Sequence, residues 1–202
     1  MVGQIALPLG PLGRRDPSHI VVGPANGNIV EAFQHTQNWP YHTAIVFGPP
    51  RSGKSLLANW FEQARLGEVV DDAERMDETE LFHLWNRAQE SATPLLLTSG
   101  VLDWQVTLPD LGTRLRSALR LDIGEPDDAM LEELIGVHAE QRGLPLGDEA
   151  CHYLASRGPR SHLGIEELVA AIDRLSLERK SAPGPAIWRE ALEEVAGPGN
   201  RS

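Results

Sequence analysis

The sequence has few of the features that mark secreted, membrane-bound or metal-binding proteins. Its 202 residues include one cysteine, Cys151, so no disulfide can form within the chain. Cys151 lies in the apolar row of a predicted helix, and we expect it in the core. No run of about 18 apolar residues occurs, and no signal-peptide pattern precedes the first prolines. The seven histidines show no metal-ligand spacing. We therefore expect a cytoplasmic protein with no membrane contact.

Basic residues are also scarce. Eighteen lysines and arginines stand against 29 acidic residues, which gives a net charge of -11. A protein that coats DNA needs a basic stripe to displace counterions from the phosphates. The charge balance therefore argues against direct DNA binding, and any contact with DNA is expected only indirectly, through a protein partner.

The clearest motif is a phosphate-binding loop. An apolar run, Ala44 to Phe47, leads into GPPRSGKS, which matches G-x-x-x-x-G-K-[ST] and precedes a helical pattern. Glycines let backbone amides turn toward phosphate oxygens, the lysine reaches the terminal phosphates, and the serine hydroxyl can ligate Mg²⁺. The motif predicts binding of ADP or ATP with Mg²⁺ at Gly48, Pro49, Pro50, Arg51, Ser52, Gly53, Lys54, Ser55 and Leu56.

Two further segments are expected beside this loop. Asp71 and Asp72 end a short apolar run, and Asp71 is predicted to hold Mg²⁺ together with Ser55. The apolar segment Pro94 to Gly100 predicts a second buried strand, and Ser99 at its end is predicted to lie near the phosphates. Ligands in parallel sheets bind beyond the carboxyl ends of the strands, which is where these side chains should gather.

The second half of the chain changes in character. From about Asp122 onward it reads as four amphipathic helices, with Pro126 suited to the first turn and Gly143 to the end of the first helix. A P-loop α/β domain followed by a small helical lid resembles the AAA+ ATPases. The resemblance implies a three-layer αβα domain plus a C-terminal lid. The expected divisions are a flexible tail (1–18), a nucleotide-binding domain (19–122), a lid (123–196) and a disordered tail (197–202).

Two motifs resemble the DnaA replication-initiator family more narrowly. The segment HIVVGPANGNIVEAF resembles that family's N-terminal box beside the adenine, which implies nucleotide contacts from Val21, Val22, Gly23 and Asn26. The segment LPDLGTRLRSAL resembles its arginine-finger box and puts Arg114 on the finger position. The chain stops after the lid, without the family's DNA-binding domain, and so resembles the Hda-type regulators that inactivate DnaA. The resemblance covers residues 19 to 195.

The leader QIALPLG fits this resemblance. Hda-type proteins carry an N-terminal segment of this kind that docks on the sliding clamp, the β subunit of the DNA polymerase. An extended peptide with alternating apolar anchors suits a groove, and its proline lowers the ordering cost. The predicted clamp-binding residues are Gln4, Ile5, Leu7, Pro8 and Leu9.

The chain departs from the family pattern at several places. Only sixteen residues separate Lys54 from Asp71, so we expect one of the usual five strands to be missing. Asp72 stands where many AAA+ enzymes have a water-activating glutamate. Gly100 stands where relatives often have an aspartate, which leaves the γ-phosphate sensor open. The lid arginine has two candidates, Arg157 and Arg160, of which Arg160 is assigned to the nucleotide.

The resemblance implies a negative regulator of replication initiation and not an enzyme in its own right, although weak ATPase activity stays open. Its expected partners are the sliding clamp and DnaA, and a homodimer is left open as well. Two other functions stay open. A helicase-loader ATPase would engage a replicative helicase, and a small P-loop kinase would transfer phosphate to a small acceptor.

Overall fold

A computed structural model of the chain describes residues 20–197 and divides them into two compact units. The first, called the sheet unit, comprises Ala25–Gly124. The second, called the helical unit, begins at Glu125 and also includes residues 20–24. The predicted domain limits assign residues 19–24 to the nucleotide-binding domain instead. Within the helical unit Gly23 packs on Met130, whose Sδ would lie 3.1 Å from an added Cβ.

The sheet unit contains a parallel sheet of four strands in the part of the chain that is described. They are β1 (Thr43–Phe47), β2 (Glu68–Val70), β3 (Leu95–Ser99) and β4 (Leu119–Asp122). Their order is β2-β3-β1-β4, so β1 and β3 are central and buried along their whole length. Continuous apolar runs suit such strands because both faces are covered. The shortened parallel sheet predicted from the sequence is confirmed, and its edge strand β2 has only three residues.

Four helices and three single turns complete the sheet unit; α1 and two of the turns precede β1, and the others connect the strands. The helices are α1 (Gly27–Gln34), α2 (Lys54–Gln63), α3 (Glu78–Ser91) and α4 (Pro109–Ser117). The 3₁₀ turns are Thr36–Asn38, Pro40–His42 and Ala73–Arg75. Asp77 caps α3, since its carboxylate accepts the backbone N–H groups of Thr79 and Glu80. A buried cluster that includes Trp85 and Leu111 joins α3 and α4 to one face of the sheet.

The helical unit contains α5 (Asp128–Arg142), α6 (Asp148–Ala155), α7 (His162–Arg179) and α8 (Pro185–Ala196). Gly143 ends α5 in the left-handed conformation, with φ at 65°, as its position in the sequence predicts. Helix α5 packs on α6 and α7, and α7 packs on α8. Cys151 is buried on α6, as predicted, and this burial raises the pKa of its thiol. No helix within residues 20–197 is long and apolar enough to cross a membrane.

Glu78 fastens the loop before α4 to the first turn of α3. Its carboxylate accepts the Thr107 N–H at 2.9 Å, the Thr107 hydroxyl at 2.7 Å and the Leu108 N–H at 2.6 Å. These donors favour the ionised form and lower the pKa of Glu78, with the backbone of Thr107 contributing most. The stability that Glu78 supplies is therefore complete above its ordinary pKa of 4.5 and is lost as the pH falls through its lowered folded value.

The free energy of unfolding should fall less between pH 6 and pH 3 in Glu78→Gln than in the wild type. The variant lacks the carboxylate whose protonation causes part of that fall. Urea unfolding across this pH range measures the effect. Glu80→Gln, an exposed acid in the same turn, is the matched control and should leave the slope close to wild type. An unchanged pH dependence in Glu78→Gln would contradict this assignment.

Candidate functional site

The loop between β1 and α2 has the backbone that its glycines predict. Gly53 has φ at 91° and directly precedes α2, a conformation that side chains with a Cβ rarely adopt. Arg51 also has a positive φ, at 64°. These two positions turn the chain sharply between strand and helix. The first amides of α2 are left at the N-terminus of the helix, where a phosphate anion is favoured.

Gly48 and Ser52 are packed closely inside the loop. A Cβ added to Gly48 would lie 2.6 Å from the Ser52 hydroxyl and 3.2 Å from Ile123, so a side chain here would force both neighbours to shift. The Ser52 hydroxyl is buried and has no hydrogen-bond partner in the described part of the chain. A buried hydroxyl without a partner costs free energy that a bound acceptor recovers. A phosphate oxygen is such an acceptor, so the loop fits the predicted ligand.

Lys54 is held over the loop by two carbonyl groups. Its ammonium donates to the Gly48 oxygen at 2.8 Å and to the Pro49 oxygen at 2.9 Å, and the side chain is buried. The next residue, Ser55, is exposed in the first turn of α2. The loop therefore carries a localised positive charge with a hydroxyl beside it, as the motif predicts. Pro49 and Pro50 are exposed on the outer side of the turn, and Leu56 is half-buried.

Thr98 holds Asp71 in place at the carboxyl edge of the sheet. The fully buried Thr98 hydroxyl donates to the Asp71 carboxylate at 2.5 Å and accepts the Asp72 N–H at 2.9 Å. Asp71 directly follows β2, and its carboxylate is exposed, as a ligand to a hydrated cation must be. Carboxylate and hydroxyl oxygens are ligands that Mg²⁺ prefers, so Asp71 and Ser55 fit the predicted ion. In residues 20–197 no group of three or more acidic, His or Cys side chains could hold a metal.

Ser99 reaches the loop through its backbone. Its carbonyl accepts the Gly48 N–H at 3.3 Å, whereas its hydroxyl bonds to Val101 in the following turn. The next N–H, that of Gly100, donates to the Glu74 carboxylate at 3.0 Å. Sequence reasoning missed Glu74. The signals that could have found it are an acid three residues after Asp71 and a glycine directly after a buried strand.

Arg114 lies against α3. Its guanidinium carbon is 4.4 Å from the centroid of the Phe82 ring and 4.3 Å from that of Trp85, and one N–H donates to the Asn86 amide oxygen at 2.5 Å. The residue is half-buried. A guanidinium has five N–H donors, so the bond to Asn86 leaves others for a further acceptor.

The remaining predicted nucleotide residues lie elsewhere in the two units. Asn26 is buried directly before α1 in the sheet unit. Val21, Val22, Gly23 and Arg160 belong to the helical unit, where Val21 is buried and Arg160 pairs with Asp128 at 2.6 Å on the surface. The predicted clamp-binding residues lie outside the described residues; they are Gln4, Ile5, Leu7, Pro8 and Leu9.

The fold matches solved AAA+ proteins. Domain III of the replication initiation protein DnaA from Thermotoga maritima superposes with a TM-score of 0.71 at 14% identity, over 89% of this chain and 95% of that domain. AMPPCP-bound DnaA from Aquifex aeolicus superposes with a TM-score of 0.59 at 17% identity, over 82% and 68%. The Holliday junction branch migration motor RuvB from Thermotoga maritima gives 0.60 at 14% identity, over 86% and 70%. The protein thus has a DnaA-like AAA+ fold, and the predicted fold class is confirmed.

At the level of sequence, no family model matches the chain. An uncharacterized protein from Haemophilus influenzae is 33% identical over 167 residues, which cover 77% of this chain and 71% of that protein. The chain belongs to the same family as this Haemophilus protein.

Proposed function

We propose that the protein is an adenine-nucleotide-binding regulator of the Hda type, which docks on the sliding clamp and promotes hydrolysis of the ATP bound to DnaA. The observation that carries the nucleotide-binding part of the proposal is the joint placement of Lys54 on the phosphate loop and of Asp71 on Thr98. Both groups belong to the carboxyl edge of one parallel sheet, where ligands bind in folds of this kind.

The loop would hold the phosphates of ADP or ATP. Backbone amides at the start of α2 and the Ser52 hydroxyl would donate to phosphate oxygens, and Lys54 would exchange its carbonyl partners for the terminal phosphates. Mg²⁺, when bound, would be held by Ser55 and Asp71 and would neutralise phosphate charge. Thr98 would keep the Asp71 carboxylate oriented toward the ion.

Arg114 would act on a nucleotide held by a second AAA+ protein. The DnaA-like fold supports a paired arrangement with DnaA, in which an arginine from one subunit meets the γ-phosphate held by the other. The rings of Phe82 and Trp85 hold the guanidinium in one position, so little side-chain entropy would be lost on docking. In this proposal Arg114 extends from α4, and side chains of α3 hold it ready for the partner.

The leader would direct the protein to its place of action by binding the sliding clamp. The net charge of -11 disfavours direct binding to DNA phosphates, so a clamp already loaded on DNA would bring the protein to sites of completed synthesis. A six-residue peptide buries a small area, so each contact should be weak and should gain strength from a clamp that offers several grooves.

We expect the double variant Gln4→Ala and Leu7→Ala to weaken clamp binding by at least tenfold. Burial of one leucine side chain contributes roughly 1.5–3 kcal/mol, and about 1.4 kcal/mol is a factor of ten in affinity. Surface plasmon resonance with immobilised clamp measures the effect. Arg15→Ala, a change in the tail (1–18) outside the motif, is the control.

If the double variant and the wild type bind the clamp with equal affinity, these residues do not dock on the clamp and that part of the proposal is wrong. A pull-down that recovers the replicative helicase and no clamp would favour a helicase loader. Transfer of phosphate to a small acceptor would favour a kinase.

A further inference from the structure

We propose that Glu74 senses the terminal phosphate of ATP in this chain, from a position that a side chain of residue 100 would otherwise occupy. The inference rests on the proposed nucleotide site. It adds the group that distinguishes ATP from ADP, which the phosphate-loop motif leaves undefined.

The carboxylate of Glu74 fills the space beside Gly100. It extends from the 3₁₀ turn Ala73–Arg75, and its Oε1 accepts the Gly100 N–H at 3.0 Å. A Cβ built on Gly100 would lie 3.4 Å from this oxygen, with no other atom of the described chain outside its immediate neighbours within 4 Å. A carboxylate from the turn after β2 therefore stands at the end of β3, where residue 100 provides no side chain.

One peptide group connects Glu74 to the phosphate loop. The Gly100 N–H that donates to Glu74 and the Ser99 carbonyl that accepts from Gly48 belong to the same peptide. In a trans peptide these two groups point in opposite directions, so Gly48 lies on one side and Glu74 on the other. Glu74 is thus separated from the first glycine of the loop by a single rigid unit.

The second oxygen of Glu74 lacks a donor. Oε2 is buried and has no hydrogen-bond partner within residues 20–197. An ionised carboxylate accepts about four hydrogen bonds, and burial of an oxygen without a partner is costly. A donor delivered with a ligand at this edge of the sheet would remove that cost.

The two neighbouring acids have other partners. Asp71 accepts the Thr98 hydroxyl, and Asp72 forms an ion pair with Arg75 at 3.2 Å. Asp72 also has a positive φ, which turns the chain between β2 and Glu74. Glu74 is therefore the acid of this segment that meets Gly100, directly after β3.

If the Glu74 side chain turns on nucleotide binding so that Oε2 leaves its buried position, a water molecule between Glu74 and a terminal phosphate would donate one hydrogen to Oε2 and the other to a phosphate oxygen. A direct contact would place two anions together, whereas a bridging water separates them. ADP lacks this phosphate and gains nothing from the bridge. The affinity for ATP should therefore depend on Glu74, and the affinity for ADP should not.

The test compares the affinities of the full-length protein for Mg²⁺-ADP and for a non-hydrolysable Mg²⁺-ATP analogue. We expect Glu74→Ala to lower the analogue affinity about tenfold and to leave the ADP affinity within twofold. The double variant Glu74→Ala/Gly100→Asp returns a carboxylate to the same space and should recover the analogue affinity to within threefold. Glu80→Ala removes an exposed acid from the first turn of α3; it is the matched control and should change neither affinity.

A merely structural role for Glu74 would weaken both nucleotides equally, and that result would overturn the inference. It would also be overturned if the alanine variant kept the wild-type ratio of the two affinities, or if Gly100→Asp failed to rescue it. Glu74→Gln keeps an oxygen for the Gly100 N–H and serves if the alanine variant does not fold; it too should lower the analogue affinity selectively. Wild-type protein that binds ADP alone overturns only this inference, whereas wild-type protein that binds neither nucleotide overturns the proposed function.

Discussion

Replacement of Lys54 with alanine should reduce nucleotide affinity at least a hundredfold and leave the fold intact. Lys54 provides the positive charge of the loop, and a hydrogen bond to a charged group contributes roughly 1.5–3 kcal/mol. Loss of two such bonds to terminal phosphates corresponds to about 100-fold or more in affinity. Isothermal titration calorimetry with Mg²⁺-ADP measures the change directly.

The chain offers a matched control for this variant. Its other lysine, Lys180, is exposed just after α7 in the helical unit, so Lys180→Ala removes the same charge at a distant place. Lys54→Met keeps the buried aliphatic stem and separates the role of the charge from that of packing. Affinity within threefold of wild type in Lys54→Ala would show that the loop does not hold phosphate in the proposed way.

Replacement of Arg114 with alanine should lower the stimulated rate of DnaA-ATP hydrolysis about a thousandfold, while clamp binding and nucleotide binding persist. Arginines that reach the transferred phosphate from a partner protein supply factors of this size in other NTPases. The measurement is the rate of ATP hydrolysis by DnaA in the presence of clamp-loaded DNA and the variant.

Arg114 also joins α4 to α3, so its removal should lower stability, and the assay needs controls for that effect. Arg116→Ala removes an exposed arginine from the same helix and should retain stimulation. Asn86→Ala breaks the internal hydrogen bond of Arg114 and keeps the guanidinium between the two rings. Unchanged stimulation in Arg114→Ala would show that the finger is another residue.

The phosphate loop could be predicted because its chemistry is local. Eight consecutive residues specify the turn, the lysine and the start of α2, and the flanking apolar runs specify a strand and a helix. The shortened sheet could also be predicted, since sixteen residues between Lys54 and Asp71 leave no room for an additional strand and helix. Both inferences depend on distances along the chain.

The contacts of Glu74 and Arg114 could not be predicted in this way. Glu74 meets Gly100 across 26 positions of sequence, and Arg114 meets Asn86 across 28. Each pairing depends on the order of strands in the sheet and on the face that α3 presents to α4. Periodicity places a residue on a face of its own helix or strand, but it does not identify the neighbour on that face.

The sequence by itself determined the elements, the nature of the phosphate loop and the sign of the charge, because these follow from local backbone preference and composition. Only the tertiary structure decided which distant side chains meet at the carboxyl edge of the sheet. Strand order β2-β3-β1-β4 brings Asp71 to Thr98 and Glu74 to Gly100. Such order results from packing of the whole unit, since many pairings satisfy the same hydrophobic pattern and only the assembled core selects one.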